Sequence, residues 1–386
     1  MTSRHYWTLA AYYGCFFAVL GIWLPYWPLY LESVGISHES IGVLTALTMG
    51  LRMLGTPFWG HLADRRGRAL VIISTAFASA FAFSLYFWGT QLYWLIAVTA
   101  FYGFVHAAAM PLVDATAMET SLKTGGDYGR VRVWGSIGFI VCSVALGALV
   151  DWRGVAIILP VILGLLIVDA FLTTRMPRPA HTAPHADAEA PTSLLRDPAA
   201  RWFYAGAMLM QFSHAGYYGF YSIHLEANGY SRTLIGALWA LGVIAEVAVL
   251  ANSNWILKRF GVSRVLLLSL ILASLRWSVI GATLWLPLLL AAQLLHAFTF
   301  GSFHVASVRR CHDLAAPEQR GSAQAWYSAF SFGVGGSGGL LMSGFLYGAV
   351  GSAALFAIMS LAAALGVIAS LRAAALFARR APVSDH

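Results

Sequence analysis

Apolar residues run along this chain in stretches of about 17 to 25, the length needed to cross a bilayer, separated by short polar breaks. They fall near 8–31, 41–62, 69–89, 92–117, 131–153 and 155–174, then near 201–227, 234–256, 263–284, 286–308, 322–346 and 352–377. Lipid offers no hydrogen-bond partners, so such segments form helices or a closed barrel, and these are too long and too evenly apolar for barrel strands. The pattern predicts an all-α membrane protein with twelve transmembrane helices. Between the sixth and seventh runs, Thr174-Arg-Met-Pro-Arg-Pro179 through Asp197-Pro198 has no apolar face and reads as a flexible linker. The expected division is a six-helix bundle over 1–174, a linker over 175–200, a second bundle over 201–377 and a tail over 378–386.

Composition removes the soluble alternative. Hydrophobic residues make up 59% of the chain and charged residues 10%, whereas soluble domains carry roughly 25% charged residues. With an even number of crossings both termini share one side. That side carries Arg65, Arg66, Arg68, Lys123, Arg130, Arg132, Lys258, Arg259, Arg264, Arg309, Arg310 and Arg320, against only Arg153 and Arg232 in the opposite loops. This asymmetry places both termini in the cytoplasm. It also accounts for the net charge of +8, so no nucleic-acid partner is expected. The first run, from Thr8 to Leu31, exceeds a signal-peptide core and lacks a small-residue cleavage site, so it is expected to stay as the first helix. Cys15, Cys142 and Cys311 have no metal-ligand spacing, and neither a disulfide framework nor a metal is expected.

Six runs on each side of a linker suggest an internal repeat. Gly60-His-Leu-Ala-Asp-Arg-Arg-Gly-Arg68 after the second run is echoed by Trp255-Ile-Leu-Lys-Arg-Phe-Gly261 after the eighth. Aligning Arg65 and Gly67 with Arg259 and Gly261 superposes Arg52 on Glu246. Setting Arg130 against Arg320 superposes His106 on His296 and Asp114 on His304. Two parallel six-helix halves joined by a linker are one way secondary transporters are built.

The segment Gly60 to Arg68 resembles the helix 2–3 signature of the major facilitator superfamily. The resemblance implies two pseudo-symmetric six-helix bundles that rock between inward- and outward-open states, with a monomer as the default. In this signature Gly60 and Gly67 allow close approach, and Asp64 with Arg65 and Arg68 forms a conformational gate, Asp64 capping a helix end and pairing with an arginine in one state only. A narrower resemblance rests on Pro111-Leu-Val-Asp-Ala115, Asp127-Tyr-Gly-Arg-Val-Arg-Val-Trp-Gly-Ser136, Ala215-Gly-Tyr-Tyr-Gly-Phe220, Leu241-Gly-Val-Ile-Ala-Glu246, Arg276-Trp and Leu295-His-Ala-Phe-Thr-Phe300. These segments look like the phenylpropionic acid permease family, which sits near the lactose-type and nucleoside-type proton symporters. The resemblance implies a proton-coupled importer of the bacterial inner membrane, driven by the proton gradient, without another cofactor.

Ionisable residues inside a bilayer cost roughly 2.5–3.5 kcal/mol each on insertion scales, so each is a candidate for function. At 1.5 Å per residue, Glu246 lies about 18 Å into its helix, Arg276 about 12 Å and His296 about 15 Å, one layer near the midplane. Burial favours the protonated carboxyl of Glu246, while an approaching Arg276 favours the carboxylate. That pair can act as a proton switch that frees Arg276 for a substrate carboxylate; a permanent structural ion pair is the alternative. His296 and His304 add groups able to exchange protons. The set resembles the coupling residues of the lactose-type symporters, with one departure: Thr299 stands where those proteins place a glutamate after the histidine.

In the first half, Arg52 lies about 16 Å into its helix and calls for an anionic partner. Asp114, Glu119 and Asp169 are the acids available, with Asp114 favoured as a gate or coupling residue. Trp23, Tyr26, Trp27, Tyr30, Tyr217, Tyr218 and Tyr221 read mainly as interfacial or packing aromatics. Trp23, Tyr26, His214 and Tyr218 are the candidates to wall a cavity against an aromatic ring. Gly333-Val-Gly-Gly-Ser-Gly-Gly339 with Gly135, Gly138 and Gly147 suits close helix packing. The function expected is symport (import) of a small organic solute with a proton, best an aromatic acid held by Arg276, with Arg52 ranked second for that role. A sugar or nucleoside symporter is the alternative, and a non-transporting sensor on the same fold is the alternative of another class. No nucleotide loop, nucleophile elbow or metal motif points to an enzyme.

Overall fold

The computed structural model describes residues 3–178 and 192–379, so half of the expected linker and most of the expected tail lie outside the described residues. Every apolar run is helical. The first seven helices are α1 (Ser3–Ser33), α2 (His38–Arg66), α3 (Arg68–Ser84), α4 (Leu92–His106), α5 (Ala109–Thr124), α6 (Tyr128–Arg153) and α7 (Ile158–Thr173). They are followed by α8 (Pro198–Ala227), α9 (Arg232–Ala251), α10 (Ser253–Phe260), α11 (Val262–Ala282), α12 (Leu286–Leu294), α13 (Phe303–Leu314), α14 (Arg320–Ser328) and α15 (Gly338–Ala378). Among the described residues ten helices are long and apolar enough to cross a membrane. The helix α8 is not one of them, because Gln211, Ser213, His214 and several tyrosines lower its hydropathy.

Four of the expected helices are interrupted: 92–117, 234–256, 286–308 and 322–346. The break between α4 and α5 falls at Ala107 and Ala108, where the ring of Pro111 collides with the carbonyl four residues back. Wider π-helical turns occupy Ala297–Ser302, between α12 and α13, and Ala329–Ser337, between α14 and α15. Such turns leave backbone carbonyls with altered partners and concentrate at functional positions.

The chain forms two compact units. The first holds Met1–Ala186 with Tyr221–Ala240, and the second holds Asp187–Phe220 with Leu241–His386. The end of α8 and the start of α9 therefore group with the first six apolar runs, although chain order assigns them to the second half.

In the first unit, glycine sets the crossing of α1 and α6. A Cβ on Gly138 would overlap the Gly14 carbonyl, and one on Gly21 would crowd Phe139 and Ser143. Ser143 Oγ donates to the Gly21 carbonyl at 2.9 Å. Such small-residue contacts replace the hydrophobic drive that lipid cannot supply. Gly147 and Gly236 leave room for Tyr26, whose hydroxyl donates to the Ser143 carbonyl at 2.5 Å. Asp151 accepts from the Arg232 and Thr233 N–H groups at 3.0 and 2.9 Å and from the Thr233 hydroxyl at 2.6 Å, satisfying donors left open at the start of α9.

In the second unit Gly335 and Gly339 play the matching part, their α-carbons set against Met208 and Phe212 of α8. Ser360 links α15 to α11, 2.9 Å from the hydroxyls of both Ser274 and Ser278. The aromatic residues of α1 and α8 depart from an interfacial belt: Tyr26, Trp27, Tyr30, Tyr217 and Tyr221 are 3% exposed or less. Their rings pack inside the units, where Trp27 stacks on Trp23 with centroids 4.3 Å apart.

Candidate functional site

A buried polar cluster occupies the second unit. Arg276 of α11 is fully buried, its guanidinium carbon 4.3 Å from the Tyr217 ring centre and 4.5 Å from that of Trp277. Its Nη2 donates to Gln293 Oε1 at 3.2 Å, and its Nη1 donates to His296 Nδ1 at 2.9 Å and reaches Thr299 Oγ1 at 3.4 Å. An arginine only donates, so Nδ1 of His296 must accept, and the ring hydrogen belongs on Nε2. That nitrogen faces Glu246 Oε2 of α9 at 3.7 Å. His296 thus lies between Glu246 and Arg276, hydrogen-bonded to Arg276 and 3.7 Å from Glu246.

A second proton on His296 would require Nδ1 to release Arg276. His214, on α8, is held within the same cluster: Nδ1 donates to the Met210 carbonyl at 2.9 Å, and Nε2 lies 3.4 Å from Thr299 Oγ1. Its neighbour Tyr218 lies with ring centres 6.1 Å from it. Tyr217 donates to Gln293 Oε1 at 3.0 Å. Gln293 and Tyr217 are members that sequence reasoning did not assign to the site, since a neutral amide or an aromatic in an apolar helix carries no insertion cost that would flag it.

His304 stands apart from the cluster. Its Nδ1 is 3.1 Å from the Tyr327 hydroxyl, and it reaches His296 only through the ring of Phe300, which stacks on both.

The first unit holds an aromatic cleft of about 350 Å³ lined by Phe16, Val19, Trp23, Thr48, Arg52, Tyr102 and His106, among others. The rings form a nearly parallel ladder: His106 stacks on Phe16 at 5.2 Å and on Tyr102 at 4.9 Å, and Tyr102 leans on Trp23 at 5.6 Å. Arg52 projects into this cleft. Among the described residues its guanidinium has no hydrogen bond and no ion pair. None of the acids expected to meet it forms an ion pair with it among the described residues. Asp114 accepts from the Tyr13 hydroxyl at 2.5 Å and the Tyr128 hydroxyl at 2.9 Å, and Glu119 binds Arg68 at 3.0 Å and Lys123 at 2.6 Å. Asp169 is buried with Oδ1 unbonded. Tyr26 does not line the cleft, because its hydroxyl is committed to the backbone.

The residues that the sequence echo aligns fall into comparable pairs with different side chains. Arg52 and His106 share a cleft, and their counterparts Glu246 and His296 share a contact. Asp114 and His304 are each bound by a tyrosine of the following helix, Tyr128 and Tyr327.

At the gate motif, Gly67 adopts φ 93°, a conformation that L side chains rarely take, and so turns α2 into α3. Arg68 leads α3 and forms the ion pair with Glu119. Arg65 is exposed, and Asp64 is exposed and makes no ion pair among the described residues, so the expected arginine pairing is made here by Glu119 instead. Gly60 has open space around its α-carbon.

The MFS_1 like family matches residues 6–358. The chain belongs to this family. It is a major facilitator superfamily transporter, a multi-pass membrane protein and not an enzyme. It is 32% identical over 366 residues to the probable 3-phenylpropionic acid transporter of Escherichia coli (strain K12), covering 92% of this chain and 94% of that one. The maltose permease of Geobacillus stearothermophilus is 26% identical, with 93% and 92% covered. The crystal structure of the nucleoside transporter NupG superposes with a TM-score of 0.85 at 17% identity, covering 98% of this chain and 99% of that one, a likeness of fold.

Proposed function

We propose that this transporter imports a small aromatic acid together with a proton, by alternating access, with Arg52 as the clamp on the substrate carboxylate. The observation that carries the reading is the guanidinium of Arg52. It stands in an aromatic cleft at midspan with its donors unspent among the described residues. A cation in that position is expensive until an anion meets it, and the guanidinium fork fits a carboxylate with two parallel hydrogen bonds. Trp23, Tyr102 and Phe16 supply ring faces for the aromatic body. Arg276 is sealed and already bonded, which suits a coupling role better than direct contact with substrate. The likeness to a probable 3-phenylpropionic acid transporter supports the same substrate class.

Glu246 carries the coupled proton in this reading, with His296 relaying its charge state to Arg276. Asp114 and His304, each tied to a tyrosine, act as gating residues rather than carriers. The long final segment supports twelve crossings: Arg320–Ala378 spans 59 residues, far more than one hydrocarbon core needs, and Gly351 breaks it with φ 77°. Counting both arms and adding α8 gives six crossings over 1–174 and six over 201–377, joined by the linker 175–200. The basic-residue asymmetry places both termini in the cytoplasm. Equilibrium binding to the purified protein tests the substrate class. 3-Phenylpropionate should bind and the neutral 3-phenylpropanol should not; equal binding of the two, or binding of maltose or a nucleoside in preference to either, would replace the carboxylate reading.

A further inference from the structure

We propose that the second unit binds an anionic phospholipid at Arg310, with the phosphate on its guanidinium and an acyl chain along the adjoining groove. The groove, about 320 Å³, runs between α8, α11, α13 and α15 and is walled by Phe203, Leu266, Leu270, Phe303, Ala373 and Phe377. Arg310 closes one end of it. This residue is 8% exposed, its Nη2 donates to Ser263 Oγ at 2.5 Å, and its guanidinium lies 4.1 Å over the Phe377 ring. Its Nε and Nη1 are neither bonded within the described residues nor sealed from contact, so two donors of the fork stay open.

No acid among the described residues answers this charge with an ion pair. Asp313, which acts on Arg310 from a distance, is bound by Arg309 at 3.3 Å. The internal repeat sharpens the contrast. In the first unit the corresponding junction, where the third helix starts beside the end of the fourth, is neutralised by Arg68 and Glu119 at 3.0 Å. In the second unit the junction of α11 with α13 holds Ser263 and Arg310, a hydroxyl where a charge partner would be. A mostly buried cation without a carboxylate partner among the described residues is costly, and an external anion would stabilise it. Arg264, Arg309 and Arg372 lie nearby in sequence on the same elements and bias the choice toward an anion. Basic pockets between helices at the cytoplasmic end suit phosphate headgroups, and an apolar groove continuing from the cation suits a lipid tail rather than a soluble anion.

Native mass spectrometry of the full-length protein, exchanged in detergent against phosphatidylglycerol or phosphatidylcholine, tests the site. The wild type should retain phosphatidylglycerol preferentially, and Arg310→Gln should lower that retention by about fivefold or more, the worth of one basic residue toward an anionic headgroup. Phosphatidylcholine retention should not change. Ala374→Leu keeps Arg310 but fills the groove at a half-buried position, and should lower retention as well. It decides the matter if Arg310→Gln does not fold. Unchanged phosphatidylglycerol retention in either folded variant overturns the proposal. So does equal retention of the two lipids by the wild type, or displacement of the lipid by inorganic phosphate at matched concentration, which would mark a site for soluble anions.

Discussion

Arg52 and Arg276 carry the same charge at similar depth, yet their surroundings give them different work. Arg276 is enclosed by Gln293, His296, Thr299, Tyr217 and Trp277, while Arg52 faces a cleft with no protein anion among the described residues. Lysine at Arg52 would keep the charge and lose the planar fork. Losing one charge-assisted contact of roughly 1.5–3 kcal/mol should weaken 3-phenylpropionate binding by about tenfold or more in Arg52→Lys, measured by titration calorimetry, with folding preserved. Unaltered affinity would move the carboxylate elsewhere. The midspan ionisable residues were legible in the sequence because each is costly in lipid. Their partners were not: Tyr102, His106 and Gln293 are ordinary in an apolar helix, and only the crossing of helices brings them beside Arg52 or Arg276. The sequence also ranked Arg276 ahead of Arg52 as the carboxylate clamp, because depth in a helix says nothing about which donors are already spent.

Helices and their crossings are read most directly from glycine. The clusters at Gly135, Gly138 and Gly147 and at Gly333–Gly339 predict close packing, and Gly138 and Gly335 indeed meet backbone of a neighbouring helix. Gly60, the first glycine of the gate motif, meets nothing within 4 Å. Gly138→Val should therefore lower the thermal unfolding temperature in detergent, by the 1–3 kcal/mol or more that overpacking costs, whereas Gly60→Ala should leave it nearly unchanged. Comparable losses in both would mean that the packing role is assigned to the wrong glycines. The π-helical turns beside His296 and in the glycine-rich segment were not legible, since one residue more per turn leaves no periodic mark in so short a stretch. For the aromatic residues of α1 and α8 the sequence left interfacial and packing roles both open, because composition alone does not separate a ring at headgroup depth from one packed between helices.

For the molecule as a whole, the apolar runs coincide with helices among the described residues, although α8, whose polar residues belong to the buried cluster, is too polar to count as a crossing and the last two runs join in one segment. Side assignment rests on the basic residues. A reporter active only in the cytoplasm should work when fused within 181–195 or after His386, and activity of a periplasmic reporter at either place would invert the topology. The grouping of Tyr221–Ala240 with the first unit had no trace in the sequence, because it comes from tertiary contacts such as those of Tyr26 and Asp151.

Transport itself decides between a coupled importer and a sensor or a carrier of neutral solutes. Labelled 3-phenylpropionate uptake into proteoliposomes, with and without an imposed inward proton gradient, should show accumulation in the wild type only with the gradient. Glu246→Gln, which mimics the protonated acid and cannot release a proton, should exchange substrate across the membrane but fail to accumulate it. Wild-type uptake that ignores the gradient, or full gradient-driven accumulation by Glu246→Gln, would contradict proton-coupled import through Glu246.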